Sequence, residues 1–333
     1  VCEPGFVPFE QGERTHRWIP VVPKGMKIPV YFSSAYSVDG GFDTVGKSAV
    51  VARSLSDDSI DGVELLEPRP VHIELLERVH DPDYVQQVLA GRRGQFTEHG
   101  ADFVASILAS TGGVVAAVES ALAHGGFAGS LSSGLHHARY DHDSGYCTFN
   151  GLVVGAVRAL DVGARRVLII DFDAHCGGGT ASLIERLNDS GVGGIEQVDV
   201  SVSSFDNYPS RPGVTCRVVG GGDYLSAIVE ALDSVIDPES IDLVIYNAGM
   251  DAHENAGGAM GVNTDVIRER ESRVFEWAAR HDCPVAWVLA GGYSSARFTV
   301  NDVARLHRIT VEEAARVAST QPKSMITPAS ATD

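Results

Sequence analysis

Short unbroken apolar runs alternate along the chain with longer stretches in which apolar residues return every third or fourth position. The first pattern predicts strands buried on both faces, and the second predicts helices with one apolar face. Strands are expected at 29–32, 127–131, 165–170, 197–202, 242–246 and 285–289. Helices are expected at 47–55, 82–89, 101–123, 150–160, 180–187, 224–235 and 264–280. Parallel strands need crossover connections, and helices between strands supply them. The pattern therefore predicts an α/β fold with a largely parallel sheet flanked by helices. No linker rich in Pro, Gly or Ser and no fixed-period repeat divides the sequence, so 1–318 reads as a single domain. Residues 319–333 are small, polar and proline-containing, and read as a flexible tail.

Composition narrows the class. With 333 residues, 44% hydrophobic and 21% charged, the chain can bury a large core and is not of the disordered type. Cys2, Cys147, Cys176, Cys216 and Cys283 are few and lack C-x-x-C spacing, which argues against a disulfide framework and a structural zinc knuckle. No apolar run is expected to span a bilayer, and the first ten residues lack the basic start and apolar block of a signal peptide. A cytoplasmic location is the expectation, without membrane partners. The net charge of -18, from 44 acidic and 26 basic residues, repels nucleic acid and suits a cationic substrate, although acidity that only keeps a protein soluble would look the same.

The chemistry lies just after the strands, where parallel sheets bind ligands. The run Val167-Leu168-Ile169-Ile170 leads into Asp171-Phe172-Asp173-Ala174-His175, and in an extended chain Asp171, Asp173 and His175 share one face. Carboxylates this close repel unless a cation or a proton neutralises them, and a divalent metal is the simplest neutraliser. A lone D-x-D-x-H fits a solvated strand-to-helix turn equally well, so the other strand ends must decide. They carry Gly134-Leu135-His136-His137, Asn247-Ala248-Gly249-Met250-Asp251 and Ala290-Gly291-Gly292-Tyr293. Asp173, His175 and Asp251 make a three-ligand set of the kind that leaves a catalytic zinc one open position. His136 and His137 then handle protons, and Tyr293, behind two glycines that let backbone come close, donates to an oxyanion.

With these blocks the chain resembles the zinc-dependent histone deacetylases and acetylpolyamine amidohydrolases, which have the arginase/deacetylase fold. The likeness runs from about Pro29 to about Leu306. It is carried by Gly134-Leu135-His136-His137-Ala138, Ser144-Gly145-Tyr146-Cys147-Thr148-Phe149-Asn150, Ile170-Asp171-Phe172-Asp173-Ala174-His175, Gly249-Met250-Asp251-Ala252-His253 and Gly291-Gly292-Tyr293. His80-Asp81-Pro82-Asp83-Tyr84 is a weaker match to the family's H-x-x-x-Y element.

The resemblance implies one Zn2+ per chain on Asp173, His175 and Asp251, with Fe2+ or another divalent ion as alternatives. It implies His137 as general base and acid, His136 as its electrostatic partner held by Asp171, and Tyr293 as oxyanion donor. Gly145 and Tyr146 match the wall of an acyl-lysine tunnel, and Gly291 and Gly292 join them as substrate-binding positions. K+ or Na+ is implied near Asp171, Asp173, Ser201 and Val202. The implied activity removes an acetyl or other acyl group from the amine nitrogen of a lysine-like, polyamine or small-molecule substrate.

One position separates the chain from the dinuclear relatives of the fold, and two others depart from the family itself. Gly177 occupies the position where the dinuclear relatives of the fold want a second-metal carboxylate, so one metal is expected. Gly178 replaces the acidic or amide residue that the family places behind the second histidine, which predicts that His137 lacks its partner unless water or another side chain substitutes. Ser33-Ser34-Ala35-Tyr36-Ser37 stands where the family has an H-P motif. Gly178 supports a competing reading, a deacetylase-like protein with weak or lost catalysis that binds metal or acyl-amine ligands.

Overall fold

The apolar runs come together as one sheet of parallel strands in the computed structural model, which describes residues 27–37, 43–94 and 100–320. The strands are β1 (Ile28–Tyr31), β2 (Val63–Leu66), β3 (Phe127–Ser133), β4 (Val167–Asp171), β5 (Ile195–Ser201), β6 (Val214–Val218), β7 (Leu243–Ala248) and β8 (Val285–Leu289). The helices among the described residues are α1 (Asp43–Asp57), α2 (Ile73–Glu77), α3 (Pro82–Leu89), α4 (Gly100–His124), α5 (Gly151–Asp161), α6 (Gly178–Asp189), α7 (Tyr224–Asp233), α8 (Thr264–Arg280) and α9 (Val300–Thr320). The sheet order is β2-β1-β3-β8-β7-β4-β5-β6, and every pairing is parallel.

Alternation along the central strands feeds two cores. Leu168, Ile170, Val244, Tyr246, Val285 and Trp287 pack on one face with α1, α7, α8 and α9. Val167, Ile169, Leu243, Ile245, Ala286 and Val288 pack on the other with α3, α4, α5 and α6. Neither face meets water, which is why these strands read as unbroken apolar runs. Each fully buried large side chain stabilises the fold by roughly 1.5–3 kcal/mol.

The expected strands and helices are present, with ends shifted by a few residues. The pattern missed the two edge strands, because β2 and β6 are partly exposed and mix polar with apolar residues. It also missed the short α2 and the long α9. Helix α9 continues to Thr320, so the expected tail begins inside a helix, and 321–333 lie outside the described residues.

One expectation is corrected: α4 is, by length and composition alone, apolar enough to cross a bilayer. Its apolar stretch is nevertheless 56% buried, against β3 and α5, as in a core helix.

Strands β3, β8, β7 and β4 are consecutive neighbours in the sheet. Their carboxyl ends carry the four sequence blocks singled out above, so the fold sets those blocks side by side.

Candidate active site

Asp173 and His175 follow β4, and Asp251 follows β7. One ligand atom from each of these residues lies within 4.8 Å of the other two. His175 Nδ1 is 3.2 Å from Asp173 Oδ1 and 3.1 Å from Asp251 Oδ2. The backbone fixes both carboxylates: the Gly291 amide donates to Asp173 Oδ2 at 2.7 Å, and the Ala174 amide donates to Asp251 Oδ1 at 2.9 Å. A Cβ on Gly291 would fall 1.9 Å from Asp251 Oδ2, so only glycine lets this strand end come so close.

Asp251 Oδ2 is buried and has no aligned hydrogen-bond donor. Such an oxygen beside a second buried carboxylate is costly unless a cation or a proton takes it up, so the three residues fit a divalent ion. Burial raises Asp173, but charged His136 and His175 hold it well below the usual carboxylate range. Burial and the neighbouring Asp173 raise Asp251. Burial opposes a charge on His175, yet its contacts with Asp173 and Asp251 push it up to about 11.

The two histidines lie beside this group, their rings 3.9 Å apart between centroids. His136 Nδ1 is 2.7 Å from Asp171 Oδ2, and Asp171 Oδ1 accepts from Asn247 Nδ2 at 2.9 Å. Burial opposes a charge on His136, but Asp171 and Asp173 outweigh it and hold the imidazole up at about 10. Burial, reinforced by the charge on His136, pushes His137 down to about 4. Two adjacent imidazoles are thus held in opposite protonation states.

The backbone under the pair is anchored as well. Asn150 caps α5 and donates to Thr180 Oγ1 at 2.9 Å, and the Thr180 amide donates to the His136 carbonyl at 2.9 Å.

The expectation that His137 lacks a partner is corrected. Asp206, in the loop between β5 and β6, brings Oδ2 to 2.9 Å from His137 Nδ1. The residue lies 69 positions away, and no local motif announces it. The only sequence signal was the missing side chain at Gly178. Sequence reading also passed over Phe205, half-exposed, whose ring stands edge-on to His137 at 5.0 Å and to His175 at 5.8 Å. It passed over Asp199, buried next to Asp171 in the paired strand, whose carboxyl is raised well above its usual value by burial and by Asp171. Ser201 Oγ donates to Asp199 at 2.6 Å, so the hydroxyl expected near a monovalent cation is engaged there.

A small cleft opens onto these groups, lined by Ser133, His136, His137, Gly145, Cys147, Asp173, Gly291 and Tyr293, among others. Tyr293 is partly buried, and burial, with the Asp251 and Asp173 charges, pushes its phenol above the usual tyrosine value. Gly145 and Tyr146 both have positive φ, as in a type I′ turn, with Gly145 against the His137 ring. Tyr146 is 49% exposed. Gly292 faces His307 and Val303. His253 is occupied by Asn255 and Thr264 and stacks on Phe298, and it is not one of the three grouped ligand residues.

A family model described as the histone deacetylase domain matches residues 44–307. The chain belongs to the histone deacetylase family. It is similar to an uncharacterized protein of Picosynechococcus sp., 30% identical over 77% of this chain and 86% of that protein. It is similar also to a probable deacetylase of Methanothermobacter thermautotrophicus, 26% identical over 83% of this chain and 87% of that one. The fold is similar to that of the HDA15 HD domain crystal structure, with a TM-score of 0.68, 22% identity, and coverage of 88% of this chain and 93% of that one. Every residue of the site, from His136 to Tyr293, falls inside the segment that matches the histone deacetylase family.

Proposed function

We propose that this deacetylase-family protein hydrolyses an acyl-amine bond, releasing acetate or another short acid from a small or lysine-like amine, with one divalent ion, Zn2+ first among them, on Asp173, His175 and Asp251. The observation that carries this reading is the convergence of three ligand atoms within 4.8 Å of one another, one of them a buried carboxylate oxygen whose neighbour is the His175 ring and which has no aligned hydrogen-bond donor. Two carboxylates and one imidazole suit Zn2+ and also Fe2+. A divalent ion held there supplies Lewis acidity, polarising the amide carbonyl and acidifying a water molecule.

The protein's own groups do the rest. His137 is kept neutral and committed through Nδ1 to Asp206, so its Nε2 is the acceptor for the attacking water's proton. It then returns that proton to the departing amine. His136, held protonated against Asp171, stabilises negative charge gathering beside it. Tyr293 keeps its phenolic proton and offers it to the developing oxyanion, an interaction worth about a hundredfold or more in rate.

The net charge of -18 favours a cationic amine as the substrate. The buried carboxyls of Asp171 and Asp199 make K+ or Na+ beside Asp171, Asp173 and Ser201 part of the same reading. With Asp206 behind His137, the competing reading of lost catalysis loses its main support.

Acetate release from an acetyl-lysine peptide and from an acetylated diamine tests the proposal. Activity abolished by a chelator and restored by Zn2+ or Fe2+ is the expected result. A protein that binds the ion and releases no acid from any acyl-amine would overturn it.

A further inference from the structure

His137 must present a bare Nε2 to be useful as a base, and neutral imidazole exists in two tautomers. What selects the tautomer is the group on Nδ1. The Asp206 carboxylate, which only accepts, lies 2.9 Å from that nitrogen. The rest of its coordination is built to hold it there. Oδ2 also accepts from the Gly179 amide at 3.1 Å, and Oδ1 is paired with Arg139 Nη2. Arg139 is itself tied to the Gly178 carbonyl through Nη1 at 3.0 Å. Asp206 has φ 59, a left-handed conformation that costs a non-glycine residue roughly 1 kcal/mol or more and recurs where function requires it. The loop is pinned by the Cys176 amide on the Phe205 carbonyl at 3.0 Å.

Position 178 is the other half of the arrangement. A Cβ there would sit 2.3 Å from the Asp206 carbonyl oxygen and 2.6 Å from Oδ1. No side chain at 178 is compatible with Asp206 in place.

We infer that Asp206 is the positioning residue of His137, supplied across the fold by the loop after β5, and that Gly178 is a vacancy required to admit it. The inference deepens the hydrolase reading above and rests on it for its kinetic consequence, while its structural content can be read without turnover.

The test is long-range proton–nitrogen NMR of the 15N-histidine-labelled, metal-free protein at neutral pH, with His137 signals assigned by their loss in His137→Gln. Wild type is expected to carry the proton on Nδ1 alone. Asp206→Ala should give a mixture of tautomers, and Asp206→Asn, which retains an acceptor, should restore the single form. Gly178→Ala should reproduce the mixture by expelling the loop, and should add nothing in an Asp206→Ala background. It carries the spectral test if Asp206→Ala fails to fold.

In the loaded protein, kcat of Asp206→Ala should fall roughly a hundredfold or more, with KM and metal content within about twofold of wild type. Asp206→Asn should recover most of that loss. A carboxylate that merely pinned its loop would leave the tautomer unmoved. An unchanged Nδ1–H form in Asp206→Ala overturns the inference, and so does a Gly178→Ala effect of equal size in the double variant. If wild type releases no acid at all, the hydrolase reading fails, and the spectra still decide whether Asp206 positions His137.

Discussion

Arg270 and Glu271 form an ion pair in which neither side chain has any exposure. The pair lies directly behind the candidate ligands. Arg270 Nη1 donates to the Phe172 carbonyl at 2.9 Å and to the Gly249 carbonyl at 2.6 Å, so one guanidinium clamps the loop of Asp173 to that of Asp251. Tyr246 donates to the same Glu271 oxygen that Arg270 engages, at 2.8 Å.

Removing one member of such a pair strands a buried charge, so Arg270→Met should destabilise the protein by about 3–5 kcal/mol in chemical denaturation. Replacing both, as Arg270→Met with Glu271→Leu, should recover part of that stability, because no unpaired charge is left buried, while the Tyr246 hydroxyl and the Gly249 carbonyl lose their partners. Metal affinity should stay low in the double variant, because the clamp on the two loops is gone. Full recovery of affinity would show that Arg270 serves only to neutralise Glu271.

Metal binding should release a proton. His175 is held at about 11 in the metal-free protein, so it is charged at neutral pH and must lose its proton to become a ligand. The proton sits on the metal-free side of the equilibrium, so affinity should rise with pH, about tenfold per unit between pH 6 and 8. Calorimetry in buffers of different ionisation enthalpy should report about one proton released per ion. No buffer dependence would mean that His175 is already neutral.

Tyr293→Phe keeps the ring that packs against Gly257 and removes only the donor. Turnover should fall by roughly a hundredfold or more, with substrate affinity, metal content and melting temperature nearly unchanged. Turnover near that of wild type would take Tyr293 out of the chemistry.

Acid should weaken the fold through His80. Its Nδ1 donates to the Arg139 carbonyl at 2.8 Å and its Nε2 accepts from the Asn150 amide at 3.0 Å. A second ring proton would meet that amide head-on. Burial pushes the imidazole down to about 4, so the folded protein refuses a proton that the unfolded chain accepts below about 6.5. The contribution is therefore complete above pH 6.5 and is lost as pH falls toward 4, a change of about 3 kcal/mol. His80→Gln should be less stable at pH 7 yet flatter across that window. Parallel stability profiles for the two proteins would assign the acid sensitivity to other groups.

The sequence disclosed those parts whose causes are local. Val167 to Ile170 are apolar without interruption because both faces of β4 are covered, and the ligand comb after them follows from strand geometry alone. Helix α9 was legible in principle, since Val303, Leu306, Thr310, Ala314 and Val317 return at helical spacing. Strand β6 was not, because an edge strand with polar and charged residues at Thr215 and Arg217 looks like loop. Arg270-Glu271 reads as a solvated stretch of an exposed helix, and only the three-dimensional packing shows it buried. Asp206 depends on two distant loops meeting, which no spacing rule describes.

The order of the sheet also governs when the site can exist during synthesis. Among the described strands, β7 and β8 follow all the others in the chain yet fill its centre, between β3 and β4. A nascent chain that has emerged only as far as residue 240 carries His136, His137, Asp173 and His175. It lacks Asp251 and Tyr293, and it leaves the inner edges of β3 and β4 unpaired, open to any other strand that meets them. The chemistry and the sealing of the sheet therefore arrive together, with the segment from β7 to Tyr293.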